Sequence, residues 1–144
     1  AGGRSRLSLE RVAINVNDAR IPDNAGAQPV DEPVVAGGPA AYFSTLPIKA
    51  MLAALREEGL PAEISNTAGT YVCNHIAYAM AHYTARQRGV RTGFVHIPFL
   101  PNQAVTHAHA PSMSLEEVRR GLLVAIRAAV RIRADAKLAA GTIS

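Results

Sequence analysis

The sequence predicts an α/β fold: a three-layer αβα sandwich with a largely parallel, mixed sheet. Hydrophobic residues make up 49% of the 144 residues and charged residues 18%, which is the composition of a globular protein with a real core. Segments of strand and helix periodicity alternate along the chain, an order typical of α/β sheets. We find no internal repeat and no linker, so residues 1–144 are predicted to form a single domain.

The first half of the chain contains one predicted strand, one long loop and one helix. Apolar and polar side chains alternate over residues 10–17, which indicates a strand. Residues 18–39 are rich in proline and glycine and are predicted to be a loop. A helix is expected from the N-cap Thr45 to Gly59, because apolar side chains recur between them at helical spacing: Ile48, Met51, Leu52 and Leu55.

The second half repeats the alternation of strands and helices. Ser114 and Glu117 have the spacing of a capping box and mark the start of the last helix. The predicted elements are a strand at 62–66, a helix at 71–88, a strand at 92–97, a loop at 99–113 and a helix from 114 to about 137.

Charge and cysteine content limit the classes of function. The net charge is +4 and the pI about 9.7, but the arginines lack interleaved aromatics, so we predict a solvated helix face and no nucleic-acid partner. No apolar run is long enough to cross a bilayer, and no secretory leader is visible. With a single cysteine there is no internal disulfide, and a cytoplasmic protein is predicted. The absence of an initial methionine suggests a processed or truncated polypeptide.

The single cysteine, Cys73, follows a turn of small residues at 67–70 and stands at the start of the second predicted helix. Unpaired N–H groups at a helix start favour the thiolate, which is the reactive form of a cysteine. This placement predicts a nucleophile. The alternative is a small, buried structural cysteine in an inactive α/β fragment or a binding module.

A cysteine nucleophile usually needs a histidine base. Helix geometry turns His75 and His82 about 200° and 180° away from the face of Cys73. His96 instead lies near the carboxyl end of a predicted strand, and Cys73 follows the carboxyl end of another. Ligands and active sites of parallel α/β sheets lie at the carboxyl ends of the strands, so His96 is the favoured base.

The third member of a triad stays open on the residues alone. The candidate acids are Glu10, Asp18, Asp23, Asp31 and Glu32. His107 and His109 have a His-x-His spacing in a loop, but without further ligands they are predicted to be solvated side chains, and no metal site is predicted.

Several motifs follow one another along the chain: ERVAIN at 10–15, DARIPDN at 18–24, GPAAY at 38–42, LPIK at 46–49, TAGTYVCNH at 67–75 and HIPF at 96–99. Together they resemble pyroglutamyl peptidase I, a family also called pyrrolidone-carboxylate peptidase. The resemblance implies a thiol protease that removes N-terminal pyroglutamate (5-oxoproline) from peptides, needs no metal or cofactor and forms homotetramers. It covers the carboxyl-terminal two thirds of the family fold, so this chain by itself is expected to hydrolyse such substrates poorly.

The resemblance also implies roles for individual residues. Cys73 falls on the family's catalytic cysteine, His96 on its histidine and Glu10 on its acid, which selects one of the open candidates. Arg20 falls on an arginine expected near the oxyanion or the triad. The wall of the pocket for the pyroglutamyl ring is implied to include Ile21, Tyr71 and Val72.

Overall fold

A computed structural model describes residues 3–141 and confirms the α/β class, with a mixed sheet of parallel and antiparallel strands. None of the helices in this range is both long and apolar enough to cross a membrane. The elements are β1 (Leu7–Glu10), β2 (Val12–Ile14), β3 (Ala41–Phe43), α1 (Ile48–Glu57), β4 (Ala62–Ser65), α2 (Val72–Thr84), β5 (Phe94–His96), α3 (Pro101–Ala104) and α4 (Leu115–Arg131).

The strands form a three-stranded sheet in the order β4-β1-β5 and a two-stranded antiparallel sheet of β2 and β3. The prediction of one strand over 10–17 is wrong, because the chain changes sheet at Arg11. Its carbonyl accepts a hydrogen bond from the Ser44 backbone at 2.8 Å, next to the register pair Val12 and Phe43. All four residues of β1 are buried, so this strand lacks the alternation by which a half-exposed strand is recognised.

The described chain divides into two compact units, and the first comprises residues up to 9, 46–65 and from 95 onward. In this unit α1 packs against α4 and β4. A side chain at Gly121 of α4 would overlap Leu7, so the glycine permits close packing in the core. The buried core is formed by Leu7, Leu9, Ile48, Met51, Leu52, Leu55, Leu60, Ala62, Ile64, Met113, Val118, Ala125, Ala128 and Ala129.

The second unit comprises residues 10–45 and 66–94, and its helix α2 packs on β2 and β3. Tyr78 of α2 is fully buried, and its hydroxyl donates to the Pro39 carbonyl at 2.6 Å. A Cβ atom at Gly38 would lie 2.5 Å from that hydroxyl, so glycine is required where the loop passes over Tyr78. This contact ties the long loop to the helix that carries Cys73.

The start of α1 differs from the prediction, because Pro47 rather than Thr45 precedes its first turn. The Thr45 hydroxyl instead exchanges hydrogen bonds with the Thr92 backbone at 3.1 and 2.7 Å. The first N–H groups of α1 are satisfied from a distant segment: the Asp135 carboxylate accepts from Lys49 at 3.0 Å and from Ala50 at 2.9 Å. The predicted end at Gly59 is close, since α1 ends at Glu57 and Gly59 has a φ of +69°.

Two other helices are shorter than predicted. Helix α2 ends at Thr84 rather than Arg88, where the Thr84 hydroxyl bonds back to the Met80 carbonyl at 2.8 Å and the following residues are exposed. Helix α4 ends at Arg131 rather than near 137, because Asp135 is drawn to α1. The predicted capping box of α4 is confirmed. The predicted loop at 99–113 contains the short helix α3.

Candidate active site

Cys73 is the second residue of α2, so the predicted position at a helix start is confirmed. The thiol is free and half-buried. Tyr71 before the helix has an extended backbone, and the turn leading to it contains Gly69 at a φ of +80°. The Gly69 N–H donates to the Thr67 hydroxyl at 3.0 Å, which closes this turn. The N–H groups of the first helical turn, which have no partner within the helix, therefore belong to Cys73 and to the residues next to it in the sequence.

The turn before α2 is bonded to the segment that follows β2. The Asp18 N–H donates to the Thr70 carbonyl at 2.7 Å, and the Thr70 hydroxyl donates to the Asp18 carbonyl at 2.9 Å. Asn74, the residue after Cys73, is 1% exposed and also bonds to the strand β2 and its extension. These contacts hold the start of the cysteine helix from both sides of Cys73.

The two histidines of α2, His75 and His82, form hydrogen bonds with other segments of the second unit. His75 Nδ1 lies 3.0 Å from Asn17 Oδ1, and His82 Nδ1 lies 3.0 Å from the Tyr42 hydroxyl. Burial raises the pKa of the Tyr78 hydroxyl, and the neighbouring Tyr42 raises it further.

Glu10 is the last residue of β1 and is 3% exposed, and His96 is the last residue of β5 and is 6% exposed. The position of His96 at a strand end is therefore confirmed. Glu10 lines a cavity of about 270 Å³ with Tyr42 and Phe43 in the second unit. Because Glu10 and Cys73 belong to the second unit and His96 to the first, the triad of the three residues stays a prediction.

The four residues implied in substrate binding lie in two settings. Tyr71 and Val72 line a pocket of about 460 Å³ together with side chains of the 17–29 segment and of α2. Arg20 and Ile21 are exposed on the loop after β2 and do not line that pocket. Ile21 is 63% exposed, which leaves its side chain accessible to a ligand.

The His-x-His pair does not form part of a larger metal-ligand set. Within residues 3–141 no group of three or more histidine, cysteine, aspartate or glutamate side chains is arranged to hold a metal ion. The His107 ring instead stacks on Phe99, with ring centres 4.6 Å apart.

The comparison with known families supplies the link between this site and a class of protein. The sequence model of the family described as pyroglutamyl peptidase matches residues 1–132. The chain belongs to the pyroglutamyl peptidase family. The resemblance seen in the motifs is therefore confirmed.

Related sequences of this family are similar over nearly the whole chain. It is 60% identical over 141 residues to the pyrrolidone-carboxylate peptidase of Erwinia tasmaniensis, covering 98% of this chain and 66% of that protein. It is 55% identical over 145 residues to the pyrrolidone-carboxylate peptidase of Cupriavidus taiwanensis, covering 99% of this chain and 67% of that protein. The chain thus spans about two thirds of the length of these relatives.

Solved structures of the pyroglutamyl peptidase family have the same fold. The crystal structure of pyroglutamyl peptidase I from Bacillus amyloliquefaciens matches with a TM-score of 0.91 and 46% identity, over 96% of this chain and 66% of that one. A mutant pyrrolidone carboxyl peptidase from Pyrococcus furiosus matches with a TM-score of 0.85 and 47% identity, over 89% of this chain and 64% of that one.

The sequence reasoning missed Asn74. Its signal was available, because Asn74, Tyr78 and Ala81 recur at i, i+4 and i+7 and form the buried face of α2. An asparagine at such an apolar position predicts a buried polar anchor, since a buried amide must find hydrogen-bond partners.

Proposed function

We propose that this chain carries the catalytic residues of a cysteine exopeptidase that removes N-terminal pyroglutamate from peptides. Membership of the pyroglutamyl peptidase family is the observation that carries this proposal. The 60% identity to a pyrrolidone-carboxylate peptidase supports it. The half-buried, free thiol of Cys73 at the start of α2 supplies the nucleophile that such a reaction needs.

The reaction proceeds through a thioester. The Cys73 thiolate, paired with the His96 imidazolium, attacks the carbonyl carbon of the pyroglutamyl residue, and Glu10 holds the His96 ring in the required tautomer. His96 then gives its proton to the departing amine as the C–N bond breaks. Water, deprotonated by His96, hydrolyses the thioester and releases pyroglutamate and the thiol.

Backbone N–H groups at the start of α2 bind the oxyanion of the tetrahedral intermediate. Their contribution is about 3–4 kcal/mol, the size measured for single oxyanion donors in other enzymes. Arg20 adds a positive charge close to the oxyanion or the triad. No metal or cofactor takes part in this scheme.

The lactam ring of the substrate is held by Ile21, Tyr71 and Val72. Val72 and Ile21 are exposed apolar side chains, at 41% and 63%. Covering them with a ligand ring removes apolar surface from water, which contributes about 25 cal/mol per Å². The tyrosine ring adds a flat wall.

The wider setting follows the same family resemblance. The enzyme acts in the cytoplasm as a homo-oligomer, specifically a homotetramer, on peptides that begin with pyroglutamate. Neither nucleic acid nor membrane is among its partners.

Hydrolysis of a fluorogenic pyroglutamyl amide tests the proposal. Two proteins are assayed: the chain by itself, and a chimera in which it replaces the matched part of the Erwinia tasmaniensis relative. A prolyl amide, which lacks the lactam carbonyl, is the control substrate. We expect the chimera to cleave the pyroglutamyl amide only, the chain by itself to cleave it poorly, and Cys73→Ser in the chimera to lose at least about 10³-fold in kcat/KM. Equal cleavage of both amides, or activity of a folded Cys73→Ser variant within tenfold of its parent, would contradict it.

A further inference from the structure

We infer that Asn74 is a positioning residue, which fixes the place of the Cys73 thiol by bonding the first turn of α2 to β2. The catalytic part of this inference rests on the proposed function, whereas the placement of the thiol can be measured independently of it. Asn74 itself touches no substrate in this account.

The amide of Asn74 uses its acceptor and its donors on one strand. Its Oδ1 accepts from the Ile14 N–H at 3.0 Å, and its Nδ2 donates to the Ile14 carbonyl at 2.9 Å and to the Val16 carbonyl at 3.0 Å. The side chain therefore bonds the Ile14 backbone as a neighbouring strand would, while Ile14 is paired with Ala41 of β3. At 1% exposure the amide has no access to water as an alternative partner.

The three hydrogen bonds of Asn74 fix the position of the first turn of α2, and with it the position of Cys73. The Ile14 bonds form a closed two-point contact, and the Val16 bond adds a third point farther along the chain. A side chain held at three points cannot slide or rotate, and Cys73 is its direct neighbour in the helix. Hydrogen bonds from Thr70 on the other side of Cys73 leave the thiol between two anchored residues.

The chain offers a matched control for the energetic cost of losing such an amide. Asn15 also bonds at three points: its Nδ2 donates to the Val35 and Gly38 carbonyls at 2.9 and 3.2 Å, and its Oδ1 accepts from the Val35 N–H at 2.9 Å. These bonds hold the 35–38 turn, and the adjacent Pro39 carbonyl joins this loop to Tyr78 in the middle of α2 and not to the first turn of the helix. Asn15→Ala thus removes the same kind and number of contacts as Asn74→Ala without touching the helix start.

The test compares Cys73 alkylation by iodoacetamide at about pH 6 in the unaltered chain, Asn74→Ala and Asn15→Ala, with thermal unfolding followed by circular dichroism. Cys73 is the only cysteine among the 144 residues, so the label reports on it alone. We expect both variants to lose stability, but only Asn74→Ala to alkylate about three- to tenfold more slowly, the size of the effect of a helix amino terminus on a nearby anion. Equal alkylation rates in the two variants would overturn the inference.

Asn74→Asp provides a second variant in case Asn74→Ala does not fold. An ionised carboxylate accepts but cannot donate to the Ile14 and Val16 carbonyls, whereas a protonated carboxyl can donate one O–H. We therefore expect its alkylation rate, relative to that of His75→Asp, to recover as the pH falls, because His75→Asp places a carboxylate in the same helical turn but leaves the Asn74 hydrogen bonds in place. A ratio independent of pH for Asn74→Asp would contradict the inference.

Turnover separates this inference from the proposed function. If the pyroglutamyl amide is cleaved, Asn74→Ala should lower kcat by about 100-fold, which is the cost of misplacing a catalytic group by an ångström. The KM of Asn74→Ala should change little, and so should the kcat of Asn15→Ala. An unchanged kcat in Asn74→Ala would refute the positioning role and leave the proposed function intact. Absence of turnover when this sequence replaces the matched part of the Erwinia tasmaniensis relative, with the alkylation difference present, would refute the proposed function and leave the positioning role intact.

Discussion

At the residue scale, the account depends on whether the thiol of Cys73 has the environment of a nucleophile. Half-burial of a free thiol at the second position of a helix differs from the full burial of a structural cysteine. The α2 histidines are held by Asn17 and Tyr42, which leaves His96 as the proposed source of the positive charge.

The proposed ion pair predicts a specific effect of His96→Ala on thiol reactivity. A neighbouring imidazolium favours the thiolate, so its removal should lower the thiolate fraction and slow alkylation of Cys73 by about tenfold or more between about pH 6 and 7. His82→Ala is the matched control, because His82 lies in α2 but pairs with Tyr42. An alkylation profile in His96→Ala that matches that of His82→Ala would leave His96 as an ordinary core histidine.

At the scale of elements, the helices of the first unit are held at their starts by side-chain caps. The Ser114 N–H and hydroxyl both bond to Glu117, and the Glu117 N–H donates back to the hydroxyl at 3.2 Å. The hydrogen bond from the Ser114 hydroxyl is the largest cause that holds the pKa of Glu117 below its ordinary value. The bond from the Ser114 N–H and the charge of Arg120 lower the pKa further. The stabilisation is therefore present above the ordinary carboxyl pKa and is lost as the pH falls through the lowered one.

Glu117→Gln should lower the melting temperature at neutral pH, because the substitution removes the charge that the cap stabilises. The difference from the unaltered chain should narrow as the pH falls below the ordinary carboxyl pKa and close below the lowered pKa of Glu117, where both chains carry an uncharged side chain. Glu116→Gln serves as the control, since Glu116 lies in the same first turn but outside the capping box. A pH-independent difference for Glu117→Gln would show that the ionised cap does not contribute.

The start of α1 has a cap from a distant part of the chain. Asp135→Ala leaves the Lys49 and Ala50 N–H groups without their carboxylate partner and should lower the free energy of unfolding by about 0.5–2 kcal/mol. Urea denaturation measures this loss, with Arg133→Ala in the same exposed segment as the control. Equal midpoints for the two variants would refute the capping role of Asp135.

At the scale of the whole molecule, local patterns in the sequence predict the long elements and miss those set by distant contacts. Helices α1 and α4 have strong apolar periodicity, and Ser114 marks a start that depends only on its own turn. The end of α4 is set by the attraction of Asp135 to a helix start more than 80 residues away, which no local pattern contains.

The candidate site was predictable to a different degree for each residue. The positions of Cys73 at a helix start and of His96 at a strand end follow from the order of strands and helices, whereas their catalytic roles stay a prediction. Glu10 could not be chosen from the residues alone. All four residues of its strand are buried, and no local pattern distinguishes a catalytic carboxyl group there, so only the family resemblance selects it. The spacing of Asn74, Tyr78 and Ala81 indicates that Asn74 is buried, but its bonds to β2 depend on a segment about 60 residues away, which no local pattern contains.

The central claim is that Cys73 attacks a pyroglutamyl carbonyl group, and covalent labelling with pyroglutamyl chloromethyl ketone tests it most directly. The thiolate displaces chloride from this reagent faster when binding of the ring holds the reactive carbon at the thiol, and prolyl chloromethyl ketone, without the lactam carbonyl, is the control. Intact mass and peptide mapping should show one adduct, on Cys73, formed at least about tenfold faster with the pyroglutamyl reagent than with the prolyl one. Equal rates for the two reagents, or labelling away from Cys73, would contradict the account.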